Sequence, residues 1–382
     1  MVPSAASHDI RPRSFSGWPL STAVELDAAC PSFLSFVFCG AALKRQAIFS
    51  TLAALTRECP EALATRLRPF ALTDDLNHQT SFKQIARALM ATRAREILQA
   101  VFGDVPDGFL GVLSRIGDEP LRKPSLYFTL FEIFSDPQHR ARRDVLRQRS
   151  GSITATHIEV ISRLDPILVH RNVLNRLYGA SQADDANAAL ALVRSTVSSA
   201  TDETIRQSIE NLGEKTDLGA LFSRWLEKVD RPPVHLPVPE DDPDLAVVTS
   251  GVAMASLGRR FRNCAASRTL HLAQGAQVLL EWRHPPGLVA QCHRLTNGSW
   301  VLTEIYAKRN GLVDPEAAAA LRGKLEALGI PALCSEDAHP RTRGIMNLLG
   351  QWGGTGHRHR LNEMEPELDG LEREIAEAGE VV

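Results

Sequence analysis

Apolar positions along the chain follow one period up to about residue 230 and a different one beyond about residue 245. In the first stretch they recur at three- and four-residue steps, the mark of helices that bury one stripe. Phe82, Ile85, Ala86, Leu89, Ile97 and Val101 predict one amphipathic helix, with Ser81 placed to cap its start and Gly103 to end it. Residues 126–134 are apolar on every side, which predicts a helix at the centre of the first domain. Further helices are expected over 153–161, 167–178, 184–198 and 201–212, with Gly179 and Gly213 as stops. Their short connections fit a helical bundle or an irregular array of helical hairpins.

Residues 231–244 carry Pro232, Pro233, Pro237, Pro239 and Pro243, through which no helix can run, and are expected to form a linker. Beyond it, Ser250 is placed to cap a helix reaching Phe261, and a second short helical piece is expected over 267–273. Three strand-like runs follow, over 277–282, 288–295 and 300–307. Pro285-Pro286-Gly287 and Asn297-Gly298 separate them, and both residues of the second pair tolerate positive φ, as a tight hairpin turn requires. Asp314 as N-cap, Pro315 in the first turn, Leu321, Leu325 and Leu328 on one face and Gly329 as the stop predict a last helix.

The expected fold is therefore mainly α with a small α+β C-terminal domain: a helical bundle or array followed by a three-stranded antiparallel meander flanked by helices. Residues 1–30 read as a flexible N-terminal segment, 31–230 as the helical domain, 231–244 as the linker, 245–333 as the α+β module and 334–382 as a basic loop with an acidic tail.

Composition narrows the function more than it names it. With 382 residues, 44% hydrophobic and 23% charged, the chain is long enough for two or three globular domains. A net charge of -2 excludes a globally basic protein but leaves room for a local basic face. Six cysteines without disulfide or zinc spacing, a polar N-terminus and no long apolar run predict a cytoplasmic protein with no membrane partner.

Leu257-Gly258, then Asn263-Cys264, Gly275 before a strand, the run from Trp300 through Ile305 to Asn310, and a helix opened by Asp314-Pro315 form an ordered set. Over residues 245–330 this set resembles the PcfJ-like domain family, met on conjugative plasmids and phages and in bacterial genomes. Cys264 is followed here by Ala265, where the family has valine, and no tyrosine stands nearby. The resemblance implies a setting of mobile elements and host conflict and supplies no catalytic mechanism.

Two chemistries compete in the module. Arg259, Arg260, Arg262 and Arg268 before the sheet, with Lys308 and Arg309 after its last strand, point to a phosphate-binding edge, and Trp282, Trp300 and Tyr306 would add stacking surfaces if they faced outward. The leading expectation is thus a non-enzymatic protein binding a macromolecular partner, nucleic acid before protein, with the oligomeric state open. The alternative is a cysteine-dependent hydrolase or transferase using Cys264 as nucleophile, His293 as base and Glu304 as its orienting carboxylate. Against it stands Cys264 as a small packing residue beside Phe261. A third reading is a protein-interaction scaffold built on the helical array and acidic tail. In the helical half, Arg140, Arg142, Arg143, Arg147 and Arg149 form the densest basic run. No metal or cofactor is expected, because no paired-cysteine motif or phosphate-cradling lysine loop is present.

Overall fold

A computed structural model describes residues 11–70, 80–213 and 215–332. The chain is mainly helical, with a small antiparallel sheet in its C-terminal region. By contacts it divides into two compact units. Of the described residues, the first holds 11–70, 80–213, 215–233, 250–255 and 267–274, and the second holds 234–249, 256–266 and 275–332. The basic loop and acidic tail expected over 334–382 lie outside the described residues.

The first unit begins earlier than its apolar pattern suggests. Residues 1–30 were expected to be flexible, yet Pro19–Ala29 is a helix that buries Ala23 and Leu26, and Phe15 before it is also buried. Arg13 fastens the entry, pairing with Asp118 at 2.6 Å and donating to the Gly40 carbonyl at 2.7 Å. The helix expected through Phe82 and Val101 is two helices, Ser81–Ala91 and Ala94–Phe102. The break falls at Thr92-Arg93, where Thr92 Oγ1 donates to the Phe70 carbonyl and the Arg93 N–H donates to Glu96 Oε2 at 3.0 Å, giving the second helix its own start.

The centre of the unit is not the apolar helix Ser125–Ser135 but Ala42–Ala54, which is buried without interruption from Arg45 to Ala54. Its polar side chains are largely satisfied internally, although Arg45 Nη2 has no hydrogen-bond partner among the described residues. Ser50 and Thr51 donate to the carbonyls four residues back, and Gln46 donates to the Gly117 and Glu119 carbonyls while accepting from the Tyr127 hydroxyl. Ser125–Ser135 packs one side instead, and Phe131 stacks on Phe102 at 4.5 Å.

In the second unit the sheet has four strands, not three: β1 (Leu245–Val248), β2 (Gln277–Trp282), β3 (Leu288–Arg294) and β4 (Trp300–Tyr306), antiparallel and in sequence order. β1 follows directly on the prolines, too short for a two-residue period to show. One sheet face, with Val278, Leu280, Trp282, Leu288, Ala290, Cys292, Trp300 and Leu302, packs against Ala318, Leu321 and Leu325 of the helix Pro315–Ala327. Asp314 caps that helix by accepting from the Ala317 N–H at 2.8 Å. At the β3–β4 turn only Gly298 takes a positive φ. Gly298 N–H donates to the Leu295 carbonyl and Leu295 N–H to that of Ser299, a three-residue loop rather than the two-residue turn that the dipeptide suggests.

The proline-rich segment is part of this unit. Val234, Leu236 and Val238 pack against its core, and the Trp300 indole donates to the His235 carbonyl at 2.9 Å. Buried Asp242 accepts from the N–H groups of Asp244 and Leu245 and pairs with Lys324 at 2.9 Å, setting the start of β1. Burial works against its charged form, but the hydrogen bonds from Lys324 and the two N–H groups prevail and hold its carboxyl below the ordinary value. Lys324 and His284 do the same for Asp244. Carboxyls depressed in the fold stabilise it above the unfolded carboxyl range, about pH 4, and lose that contribution as pH falls through the lower folded values. Asp242→Ala should therefore cost about 1 kcal/mol or more at pH 7, from the lost hydrogen bonds alone. It should also flatten the acid limb of a stability–pH curve, and a curve parallel to that of the wild type would refute the assignment.

Candidate nucleic-acid interface

The register fixes which groups share one end of the sheet. Leu245, Trp282, Leu288 and Tyr306 end or begin their strands there, since Leu245 pairs with Trp282, Trp282 with Leu288 and Val289 with Tyr306. The helix Gly251–Phe261 brings its last turn to the same end. Arg260 makes a two-pronged ion pair with Glu281, and the Phe261 ring lies 3.6 Å from where a Cβ on Gly287 would stand. Arg259, Arg260, Arg262, Arg283, Lys308 and Arg309 are therefore gathered at one end of the second unit. Arg268 is not with them in the second unit: it is half-buried and belongs to the helical unit.

Arg260 is committed to Glu281, whose hydrogen bonds raise the arginine pKa above its ordinary value. The exposed Arg259, Arg262, Arg283, Lys308 and Arg309 form no ion pair among the described residues. Two carboxylates at this end are occupied, Asp244 by His284 at 2.6 Å and by Lys324 at 2.9 Å and Asp242 by Lys324, whereas the exposed Glu304 on β4 forms no ion pair among the described residues. The exposed Glu240 and Asp241 lead into β1, the edge strand opposite β4, and the start of β1 pairs with the end of β2 before Arg283.

Arg259 and Arg260 suit a helix C-terminus, where cations complement the dipole. Arg262 and Arg309 have no such structural reason. Arg262 sits at φ 52 just past the helix, where the Asn263 N–H reaches back to the Gly258 carbonyl at 3.2 Å in a Schellman closure that ordinarily takes glycine. Arg309 and Asn310 take φ 59 and 51 in the turn after β4. A side chain in that region costs about 1 kcal/mol against glycine. Arg262→Gly is thus expected to stabilise the fold by up to about 1 kcal/mol, read as a higher midpoint in urea. A lower midpoint would show that the arginine is held for packing.

The aromatic residues do not extend the surface as expected. Trp282 and Trp300 face the core under the helix Pro315–Ala327, and the Tyr306 hydroxyl donates to Gln291 Oε1 at 3.2 Å. Sequence reasoning also missed Arg283 and His284, whose only signal is their place between a strand and a turn.

The cysteine constellation is placed as follows. Cys264 is exposed and opens the short 3-10 turn Cys264–Arg268, so Ala265, not Cys264, is the packing residue there. His293 and Glu304 share the sheet face opposite the Pro315–Ala327 helix as diagonal neighbours, because Gln291 pairs with Glu304 and His293 with Val301. The Nε2 atom of His293 is within hydrogen-bond distance of the amides of Gln277, at 2.7 Å, and Gln291, at 2.8 Å, so serving as a base requires leaving them. The thiol of Cys292 is pushed up to about 12 by burial and stays protonated. No cluster of metal-ligating side chains and no helix long and apolar enough to cross a membrane occurs among the described residues.

Within the basic run of the helical unit, Arg142 caps helix ends by donating to the Ile161 and Leu164 carbonyls, and Arg147 lies against Gly108. Arg140 and Arg143 stand near Asp144. No family model, curated protein or solved structure matches the chain.

Proposed function

We propose that the second unit binds nucleic acid through its sugar-phosphate backbone at the basic end of the sheet. The observation that carries this reading is the pair Arg262 and Arg309: exposed cations without ion pairs among the described residues, kept at backbone positions where glycine costs less. Phosphate tracking needs several cations on one side and no particular base contact, which is what Arg259, Arg262, Arg283, Lys308 and Arg309 supply. The resemblance of residues 245–330 to the PcfJ-like family is in keeping with such a partner, and we propose that kinship with it.

The test is fluorescence anisotropy with labelled single- and double-stranded oligonucleotides between 50 and 200 mM salt, a working range of about fourfold. Five phosphate contacts predict a slope of log K against log salt of about -4.5 on duplex and about -3.5 on single strands. Replacing Arg259, Arg262, Lys308 and Arg309 by glutamine should take away about three to four units of the duplex slope. An unchanged slope in that variant, or no binding by the wild type, would sink the proposal. Arg262→Gly alone separates fold from function, since it should strengthen the first and weaken the second.

A further inference from the structure

The helical unit contains a polar cleft of about 750 Å³, within the size range of small-molecule sites. Its walls come from three places: the exit of the helix Arg140–Gln148, the helix Arg171–Leu174 with the chain after it, and the end of the helix Asp202–Glu210. Among the described residues, Arg149, Arg171 and Arg176 line it against one carboxylate, Glu210. We infer that this cleft binds a nucleoside phosphate, with the phosphate on Arg149 and Arg171 and the base stacked on Tyr178.

Each wall residue has a distinct part. Arg176 is structural: its guanidinium donates to the carbonyls of Asn172, Gly213 and Thr216 at 2.6 to 2.7 Å and holds the floor in shape. Arg149 is held in place by Arg115, which donates to its carbonyl, and by Asn175 Oδ1, which accepts from its Nη1. Its Nε is buried without a hydrogen-bond partner. Arg149 lines the cleft with its guanidinium fixed by Asn175, a placement from which it can meet an anion there. Arg171 is exposed and lines the cleft from the wall formed by the helix Arg171–Leu174.

Tyr178 is 79% exposed at the edge of this cleft, an unusual setting for a large aromatic ring. A stacking platform beside fixed arginines suits a base joined to a phosphate better than an isolated anion. Gln148 adds a carboxamide that can meet a base edge, whereas the Asn172 amide donates to the Ile209 and Glu210 carbonyls. The source of the nucleoside phosphate is either a free nucleotide or a unit of a single strand, and the chemistry at the cleft is the same for both.

Isothermal titration of the full chain decides the matter, with AMP, UMP, adenosine, inorganic phosphate and a short single-stranded oligonucleotide as probes. The expected result is binding of AMP and UMP, with adenosine and phosphate each weaker. Tyr178→Ala and Arg171→Ala, both at exposed positions, should each weaken AMP by about fivefold to a hundredfold. An oligonucleotide that competes with AMP and loses affinity in the same variants assigns the cleft to a strand, and AMP binding without that competition assigns it to a free nucleotide. Phosphate binding as tightly as AMP, with no response to Tyr178→Ala, would mean an adventitious ion only and overturn the inference, as would no binding of any probe. The glutamine variant of the basic sheet end should leave AMP affinity unchanged, so the failure of either proposal can be seen without the other.

Discussion

Replacing Arg45 by methionine should cost the helical unit about 3–5 kcal/mol, although the change makes a buried position more apolar. Arg45 is fully buried, and its guanidinium donates to four carbonyls: Asp118 at 2.8 Å, Arg13 at 2.6 Å, Val37 at 2.9 Å and Phe38 at 3.3 Å. It also lies over the rings of Phe15 and Phe49, 5.7 and 5.6 Å from their centroids. The Phe38 carbonyl also accepts from the Arg13 N–H and that of Val37 from the Gly40 N–H, so deleting the side chain takes the donor chiefly from the Arg13 and Asp118 carbonyls. Burial lowers the arginine pKa and Asp118 opposes that, so the group stays a cation serving oxygens. Arg45→Lys keeps the charge but loses the planar fork, and should fall between wild type and Arg45→Met. Urea unfolding followed by far-UV circular dichroism reads both variants, and an Arg45→Met midpoint within about 0.5 kcal/mol of wild type would refute the account.

Gly251→Ala should be as damaging for a different reason. A Cβ at Gly251 would stand 2.2 Å from the Glu227 carbonyl oxygen and 2.6 Å from its carbon, both backbone atoms that cannot rotate away. The same residue donates its N–H to the Val229 carbonyl at 2.8 Å, so relieving the clash breaks a hydrogen bond. The expected loss is about 3 kcal/mol or more, at the upper end for overpacking. Gly323→Ala is the matched control. Gly323 lies in the helix Pro315–Ala327 with nothing within 4 Å of its added Cβ, and alanine there should gain about 0.5–1 kcal/mol. Two glycine-to-alanine changes of opposite sign in thermal melts test the backbone placement directly, and equal shifts would contradict it.

Both sites show what the sequence hides. Apolar period alone placed the last three strands and the Pro315–Ala327 helix, because Asp314, Pro315 and the leucine stripe act within a few residues of one another. It pointed to 126–134 as the central helix and passed over Ala42–Ala54, where Arg45, Gln46, Ser50 and Thr51 look like a solvated face until the distant acceptors of Arg45 and Gln46 and the back-bonds of Ser50 and Thr51 are known. Nothing within the chain near Gly251 announces that Glu227 comes so close. The arginines of the basic sheet end were legible as residues, but their convergence depends on the direction of the Gly251–Phe261 helix over the sheet. The left-handed backbone at Arg262 and Arg309 is invisible in sequence, since neither is glycine or asparagine.

The proline-rich segment has a consequence for self-association. β1 and β4 are the outer strands, and the outer edge of a sheet is a template on which a stray strand can grow. β1 is only four residues long, and Pro237, Pro239 and Pro243 before it offer no N–H to a newcomer. On the far side, Leu302 donates its N–H to the Pro331 carbonyl at 2.9 Å, and Ala332 runs alongside β4. Neither border presents a long open row of donors and acceptors, so the prolines serve as a guard against edge-to-edge aggregation.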